Sequence, residues 1–550
     1  MKHQSLLKWC MALLLIIVSY STGYGANEIR TISLDGIKYT LFDDMTAVVV
    51  GYDEDFVHKD IVIPDKVDES YDVVAIGEYA FRGCLLISSI KTNSVTSIGD
   101  GAFFDCSFLW EIEMNSVTSI GDNAFSMCYT YSVEMNNVVS IGRNAFSMCP
   151  NIKSINMNSV ISIGEGAFSG CNSLKSVKMN KATFIDWYAF SGCVTLESVE
   201  MNSATYIGDS AFSDCKSLKF VDMNNASTIG RCAFSGCAAL ELTEMKNVID
   251  IDREAFSGCK SLKNVAINSA ISIGKQAFYD CESLKTVEMS SASYIGDNAF
   301  YNCSSLESAE MNSITTIGLG AFGSCKSLRS IEINNATTID FQAFIGCASL
   351  ESVEMNKATF IGAGAFAHCT SLKSVEMNSV TYIGEQAFAH CTSLESAIMN
   401  KVITISFEAF SNCTSLESVE MDNITSVVSR AFAGCTALKE VICCAETPPS
   451  AVADSFDEST YKDATLYVLV GTRNAYFFDP VWGLFENIVE SEELTNGVGD
   501  VIVEDVDGPV SVYDLQGIQR YHGERNAIPT LPRGVYIIRT ANGKAEKVKL

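Results

Sequence analysis

The sequence predicts a repeat solenoid in which each coil supplies one short parallel strand, and two observations carry that expectation. Of 21 cysteines, 17 fall at one phase, at Cys84, Cys106, Cys128 and Cys149 and then every 22 residues to Cys435. Each is preceded by Ala-Phe three to four residues earlier, as in Ala211-Phe212 before Cys215 and Ala387-Phe388 before Cys391. Self-similarity at a fixed period marks a stacked array, because one such unit cannot bury its apolar side alone whereas 17 in a row share a continuous core.

The chain opens on a targeting segment. Lys2 and Lys8 give a positive start, and Met11 to Val18 is an apolar run too short for the roughly 20 residues of a membrane span. Residues 1–25 therefore read as a cleavable secretory signal, with small residues at Gly23 and Gly25 and cleavage before Ala26. No later segment has the length and hydrophobicity of a transmembrane helix. Residues 26–75 follow as an N-terminal β cap. Ile37 to Leu41 and Asp60 to Ile63 alternate like antiparallel strands that cover the open edge of the first coil.

A typical repeat runs from Leu196 to Cys215. Val199 and Met201 alternate with Ser198 and Glu200, the period-2 pattern of a strand with one buried face. Ile207 is followed by Gly208, and that place holds Gly in 12 units and Asp in three, consistent with a turn needing positive φ before a tight Ala-Phe turn. Helical-pair repeats and propeller blades have longer periods than 22 residues, which selects the leucine-rich class. The pattern Leu-x-x-Val-x-Met-x-x-Ala-x-x-Ile-Gly-x-x-Ala-Phe-x-x-Cys resembles the BspA-like leucine-rich repeat family of bacterial surface proteins over residues 76–445. Family members often carry Pro after the strand, where this chain has Asn in 13 of 16 units, including Asn115, Asn202, Asn312 and Asn400. A ladder of side-chain amides is the expected substitute.

After Cys435 the last strand reads Val441-Ile442-Cys443-Cys444, with Cys443 expected inward and Cys444 outward. Thr447-Pro448-Pro449 breaks the repeat, and residues 446–490, with Leu466-Tyr467-Val468, Tyr476 and Trp482, supply a C-terminal cap. Residues 491–497 form an acidic linker. Residues 498–550 read as a small C-terminal β-sandwich of short strands separated by turns. Its Leu531-Pro532-Arg533-Gly534-Val535-Tyr536 and Asn542-Gly543-Lys544 elements resemble the C-terminal sorting domain of type IX secretion cargo. That likeness implies passage across a Gram-negative outer membrane.

Charge narrows the function. The chain has 66 Asp plus Glu against 38 Lys plus Arg, a formal charge of −28, yet is 47% hydrophobic, which excludes a disordered polyanion. Negative potential of this size argues against nucleic acid and anionic lipid surfaces and leaves basic proteins or metal cations as partners. Past the signal, nucleophilic chemistry has only His58, His368, His390 and His522 to use, and none lies in a catalytic motif. His368 and His390 share a phase in adjacent units. That pair suggests either a weak surface metal site or simple duplication of Ala-His-Cys. The cysteine ladder reads as buried free thiols acting as small apolar filler rather than as disulfides or zinc ligands. No catalytic residue, metal or cofactor is expected.

Two columns remain as candidate binding residues. On the exposed strand face, between Val and Met, 11 of 16 units are acidic. Glu200, Asp222, Glu244, Glu288, Glu310, Glu332, Glu354 and Glu376 are the candidates, and Glu113, Glu134 and Glu420 complete the column. Carboxylates at strand spacing repel by about 1 kcal/mol in water and more in lower dielectric, which a cationic partner would relieve. The competing explanation is a solvated polar face offset by bases such as Lys175, Lys219 and Lys373. Before the Ile-Gly turn stand Phe184 and Tyr206, and Phe360 and Tyr382, paired in adjacent units. Such pairs anchor a protein, stack on sugars, or pack along the flank. The resemblance implies a secreted, non-enzymatic adhesin for host extracellular-matrix or cell-surface proteins or other microbes. A structural envelope protein is the alternative, and a carbohydrate-active enzyme a distant one.

Overall fold

The structure is a computed structural model that describes residues 26–492, 494, 509–514, 519–524, 535–540 and 545–549. The signal segment, most of the acidic linker, and the motif residues 531–534 and 542–544 lie outside the described residues. The chain divides into two units, one ending at Glu354 and one beginning at Met355.

In the first unit, Glu28–Leu34, Ile37–Phe42 and Thr46–Tyr52 form an antiparallel meander. Thr46–Tyr52 then pairs in parallel with Tyr71–Ile76, and that strand with Ser97–Ile98. The antiparallel expectation for Asp60–Ile63 is corrected: this strand lies parallel to Ser89–Thr92, with Ile61 opposite Ile90 and Ile63 opposite Thr92. Ile61 and Ile63 are buried like the inward residues of later coils, so the hydrophobic register makes it the first rung of a parallel sheet.

Each coil holds the expected strand, for example Ser198–Glu200, and in addition a two-residue strand such as Tyr206–Ile207. Both stack in register: Val199 lies opposite Val177 and Val221, and Ile207 opposite Ile185 and Ile229. Between the two sheets Val199, Met201, Ala204, Ile207, Ala211, Phe212, Cys215 and Leu218 are buried. The phenylalanines form one file from Phe81 to Phe344, each ring nearly parallel to the next at 5.1–5.3 Å.

The turn works differently from its sequence signature. Gly208 does not have positive φ; the left-handed residues are Ser210 at 56° and Asp214 at 57°. Every coil repeats this pair four residues apart, through Arg430 and Gly434. The alternation splits the backbone donors. Ala211, Ser213 and Cys215 donate within the turn, to Gly208, Ser210 and Phe212. Ser210, Phe212 and Asp214 donate to Arg231, Ala233 and Ser235 of the next coil at 2.7–2.8 Å. Gly208 is needed for another reason: a Cβ there would stand 2.8 Å from the backbone of Asp186. Where Asp replaces this Gly, its carboxylate accepts the next N–H, as in Trp187 to Asp186 at 2.8 Å.

In the second unit the file resumes from Phe366 to Phe456 at 5.0–5.3 Å. It ends where Tyr461, Trp482 and Phe485 meet Phe456 edge-on at 5.5–5.9 Å. Thr465–Leu469 and Asn487–Ser491 extend the sheet beyond Glu440–Cys443. Trp482 Nε1 donates to the Pro449 carbonyl at 2.7 Å and the Tyr476 hydroxyl to that of Ala445 at 2.8 Å. Cys443 is buried, and Cys444, expected to face outward, is buried as well. The strand stops at Cys443, and the chain bends toward Pro448 and Pro449, so alternation no longer governs where Cys444 sits. Near the C-terminus Gln519–Glu524, Pro509–Asp514, Val535–Thr540 and Ala545–Lys549 form an antiparallel sheet in that order.

Candidate functional site

The acidic column lies on the outer face of the three-residue strands. Glu200, Asp222, Glu288, Glu310, Glu332, Glu354 and Glu376 are exposed, because the side chains on either side of each point into the core. Glu244 occupies the same register, with its backbone opposite Asp222. The column is not uniform. Lys178 precedes Glu200 and pairs with it at 3.1 Å, and Lys91 pairs with Glu113 at 2.7 Å. From Glu288 the acids run without a base. Glu288 and Glu310 are direct cross-strand partners, as are Glu332 and Glu354. Among the described residues these four form no salt bridge; Glu288 and Glu354 accept amide hydrogen bonds from Asn268 and Asn334 at 3.3 and 3.0 Å.

Some bases just before the strands spend their charge in their own column. Lys263 pairs with Glu241 at 3.3 Å and Lys285 with Glu307 at 3.6 Å. The asparagine column forms amide-to-amide links in part, from Asn115 to Asn93 at 3.2 Å, Asn180 to Asn158 at 3.3 Å and Asn400 to Asn378 at 2.6 Å. Elsewhere the residue after it takes over, as where Asn335 donates to the carbonyl of Asn312 at 2.8 Å.

The aromatic column belongs to the other sheet, so the structure does not bring it together with the acids. Phe184 and Tyr206 stack at 4.7 Å and Phe360 and Tyr382 at 5.2 Å, each pair within 8° of parallel. Phe184, Tyr206 and Phe360 are half-buried and Tyr382 more exposed. Burial raises the Tyr206 phenol above its ordinary value, against a hydrogen bond from Trp187 that lowers it, and the carboxylates of Asp209, Asp186 and Asp252 raise it further. Trp187 is exposed and was missed from sequence because the aromatics at its place, Trp187, Phe341 and Phe407, stand in coils that are not adjacent and so make no column.

His368 and His390 sit at left-handed turn positions with their rings stacked at 4.6 Å. No group of three or more metal-ligating side chains occurs among the described residues. Fifteen ladder thiols, from Cys106 Sγ on Phe81 to Cys435 Sγ on Phe410, donate to a phenylalanine carbonyl of the preceding coil at 3.0–3.3 Å. Cys232, outside the ladder, is half-buried at a left-handed position, 3.6 Å from a Glu254 carboxylate oxygen. Among the described residues no helix is long and apolar enough to cross a membrane.

Stacked coils of about 22 residues, with parallel strands on one side and tight turns on the other, define a leucine-rich repeat protein. The chain belongs to the family described as BspA type leucine-rich repeat region, whose model matches residues 74–197, 139–263, 227–351 and 337–460. It is similar to a leucine-rich repeat protein from Bacteroides ovatus, at 25% identity over 75% of this chain and 94% of that one, with a TM-score of 0.36. It is also similar to a leucine-rich cell surface protein from Faecalibacterium prausnitzii, at 20% identity over 76% and 96%, TM-score 0.27. The pneumococcal vaccine antigen PcpA is matched at 15% identity over 85% and 100%, TM-score 0.30. No curated protein matches the chain.

Proposed function

We propose that this chain is a secreted adhesin that recognises a host or microbial macromolecule through its repeat surface. The signal segment leads it out of the cytoplasm, and residues 498–550 act as a type IX sorting module that carries it to the cell surface or the medium. The observation that carries the binding role is the run Glu288, Glu310, Glu332 and Glu354. Four exposed carboxylates in consecutive coils have no basic partner among the described residues. Repulsion between such neighbours is a standing cost that a positively charged partner removes on docking. A face shaped only for solvation gains nothing from that arrangement, and the Lys-Glu alternation of the neighbouring column supports this contrast. An even ladder also provides no distinguished acid and nucleophile for glycoside hydrolysis, which supports a binding role over an enzymatic one. Surface plasmon resonance of the full chain over immobilised host extracellular-matrix proteins tests the proposal. Saturable, salt-sensitive binding supports it; self-assembly with no binding supports the structural alternative, and turnover of a polysaccharide the enzymatic one.

A further inference from the structure

A second exposed surface lies wholly in the first unit, where three coils depart from the repeat. Between the ladder cysteine and the strand, later coils carry small or charged residues, such as Lys216-Ser217-Leu218-Lys219 and Lys326-Ser327-Leu328-Arg329. The first coils read Leu85-Leu86-Ile87-Ser88, Ser107-Phe108-Leu109-Trp110 and Tyr129-Thr130-Tyr131, the last one residue short. Only one residue in each is needed for the core: Ile87, Leu109 and Thr130 are fully buried, and the Thr130 hydroxyl donates to the Leu109 carbonyl at 3.0 Å. The others face solvent. Leu85, Leu86, Phe108, Trp110, Tyr129 and Tyr131 are each 47–55% exposed.

They are contiguous. Trp110 N–H donates to the Ser88 carbonyl at 2.8 Å and Tyr131 N–H to that of Trp110 at 2.9 Å, so the three loops are stacked rung on rung. Apolar side chains gathered in one place, rich in Trp and Tyr, are what anchors at protein interfaces are made of, and lone exposed apolar residues are not. The surroundings say what covers them. Asp105, Glu111 and Glu134 are exposed beside the patch, whereas nearby Lys91 is engaged by Glu113 at 2.7 Å and Arg82 lies over the Tyr79 and Phe104 rings at 5.2 and 5.3 Å. Lys59 and Lys153 stand only at the two ends of the column. An apolar centre with an acidic rim, on a chain of net charge −28, fits an occupant that is apolar and basic and repels a second copy of itself.

We propose that Phe108, Trp110, Tyr129 and Tyr131, with Leu85 and Leu86, form the anchoring site of this protein, and that its occupant is a protein segment in which basic and aliphatic side chains alternate. The site rests on the binding role proposed above but is separate from the carboxylate run of Glu288 to Glu354.

The test uses the full chain and three synthetic peptides of equal length, alternating Lys with Leu, Lys with Ser, and Glu with Leu. The Lys/Leu peptide should bind the native chain. Phe108→Ser, Trp110→Ser, Tyr129→Ser and Tyr131→Ser combined should weaken it on the order of tenfold or more, the usual consequence of removing an interface anchor. Exposure of all four predicts an unchanged melting temperature; if the combined variant does not fold, Trp110→Ser alone must still weaken binding several-fold. Glu111→Gln and Glu134→Gln combined should also weaken Lys/Leu binding several-fold and make its salt dependence shallower, because these exposed acids rim the patch. The proposal falls if the native chain binds none of the peptides, if Lys/Ser or Glu/Leu binds as well as Lys/Leu, or if the serine variant binds like the native chain. It also falls if soluble oligosaccharides displace the peptide, or if the native chain dimerises through this patch and the serine variant is monomeric. Loss of Lys/Leu binding on changing Glu288, Glu310, Glu332 and Glu354 together to Gln, with none in the serine variant, would overturn this site and leave the carboxylate face standing.

Discussion

Cys215 Sγ lies 3.2 Å from the carbonyl oxygen of Phe190 in the coil before it, and that carbonyl also accepts the N–H of Cys193 at 3.2 Å. One buried oxygen thus has both lone pairs engaged, one by the turn and one by a thiol. The residue must be small, largely apolar and able to donate one weak hydrogen bond, which describes cysteine.

Cys215→Ala should therefore cost about 1–3 kcal/mol, from a small void together with a carbonyl stripped of its second donor. Denaturant unfolding at neutral pH checks this. Cys232→Ala, at a half-buried turn position outside the ladder, should fall near zero in the same measurement.

The same burial makes stability sensitive to alkali. Burial raises most of the ladder thiols from 9.0, with Cys106, Cys171 and Cys391 pushed up to about 12. Above pH 9 the unfolded chain releases thiol protons that the folded chain still holds, so stability is complete below pH 9 and declines as pH rises toward 12. Melting temperature should be level between neutral pH and pH 8 and drop steeply beyond 9. A variant with several ladder cysteines changed to alanine should start lower and show a shallower alkaline slope. A flat profile in the native chain would contradict the buried, protonated ladder.

Gly208 gives a test of turn packing that glycine's reputation would miss. Its φ is not in the left-handed region, so only space forbids a side chain, 2.8 Å from the Asp186 backbone. Gly208→Ala should destabilise by roughly 1–3 kcal/mol, as overpacking does. Ser210→Gly, at a left-handed position, should be neutral or stabilising by up to about 1 kcal/mol. If the two effects were reversed in thermal unfolding, the steric account would be wrong.

The array was legible because every coil repeats the same demands. Val199, Met201, Ile207, Phe212 and Cys215 are fixed by period, and each proved to be buried in register with its neighbours. What failed to read was local geometry and anything that occurs once. Gly208 suggests positive φ by residue type, whereas the actual left-handed places hold Tyr188, Ser210, Cys232 and Glu254, a set with no common chemistry because the neighbouring coil imposes the conformation. Asp60 to Ile63 has an alternation that fits either strand direction, and only its partner Ser89–Thr92 decides. On the candidate surface, column membership was visible. Which bases neutralise which acids was not, since Lys263 reaches back to Glu241 along its own column. Tyr131 was hidden by the one-residue deletion beside Tyr129, and Trp110 because the same place holds Ser88 in the coil before it and Lys or Glu in most later coils, so it makes no column.

Residues 498–550 should govern export and not folding. A chain lacking them is expected to keep the repeat circular dichroism spectrum and melting transition, because the aromatic closure around Phe456 lies before that point. In a Gram-negative cell with a type IX secretion system, the truncated chain should be retained in the periplasm. Cell fractionation decides the matter, and normal surface appearance of the truncated chain would remove the sorting role.

The carboxylate run makes the last expectation, and its sign separates docking from solvation. Glu288→Gln, Glu310→Gln, Glu332→Gln and Glu354→Gln together keep side-chain size and hydrogen-bonding capacity, including acceptance from Asn268 and Asn334. They remove four charges that lie opposite one another as Glu288 with Glu310 and Glu332 with Glu354. Exposed like-charge pairs at strand spacing destabilise by a few tenths of a kcal/mol to about 1 kcal/mol each, so the melting temperature should hold or rise slightly. Binding to a matrix protein retained by the native chain should fall, and its salt dependence should become shallower, because rim charges act mainly by attraction during encounter. A solvated face gives the same stability result with unchanged affinity and salt slope. Titrations at two ionic strengths therefore distinguish the two, and an unchanged slope would move the binding role to Phe184, Tyr206, Phe360 and Tyr382 or to the N-terminal aromatic patch.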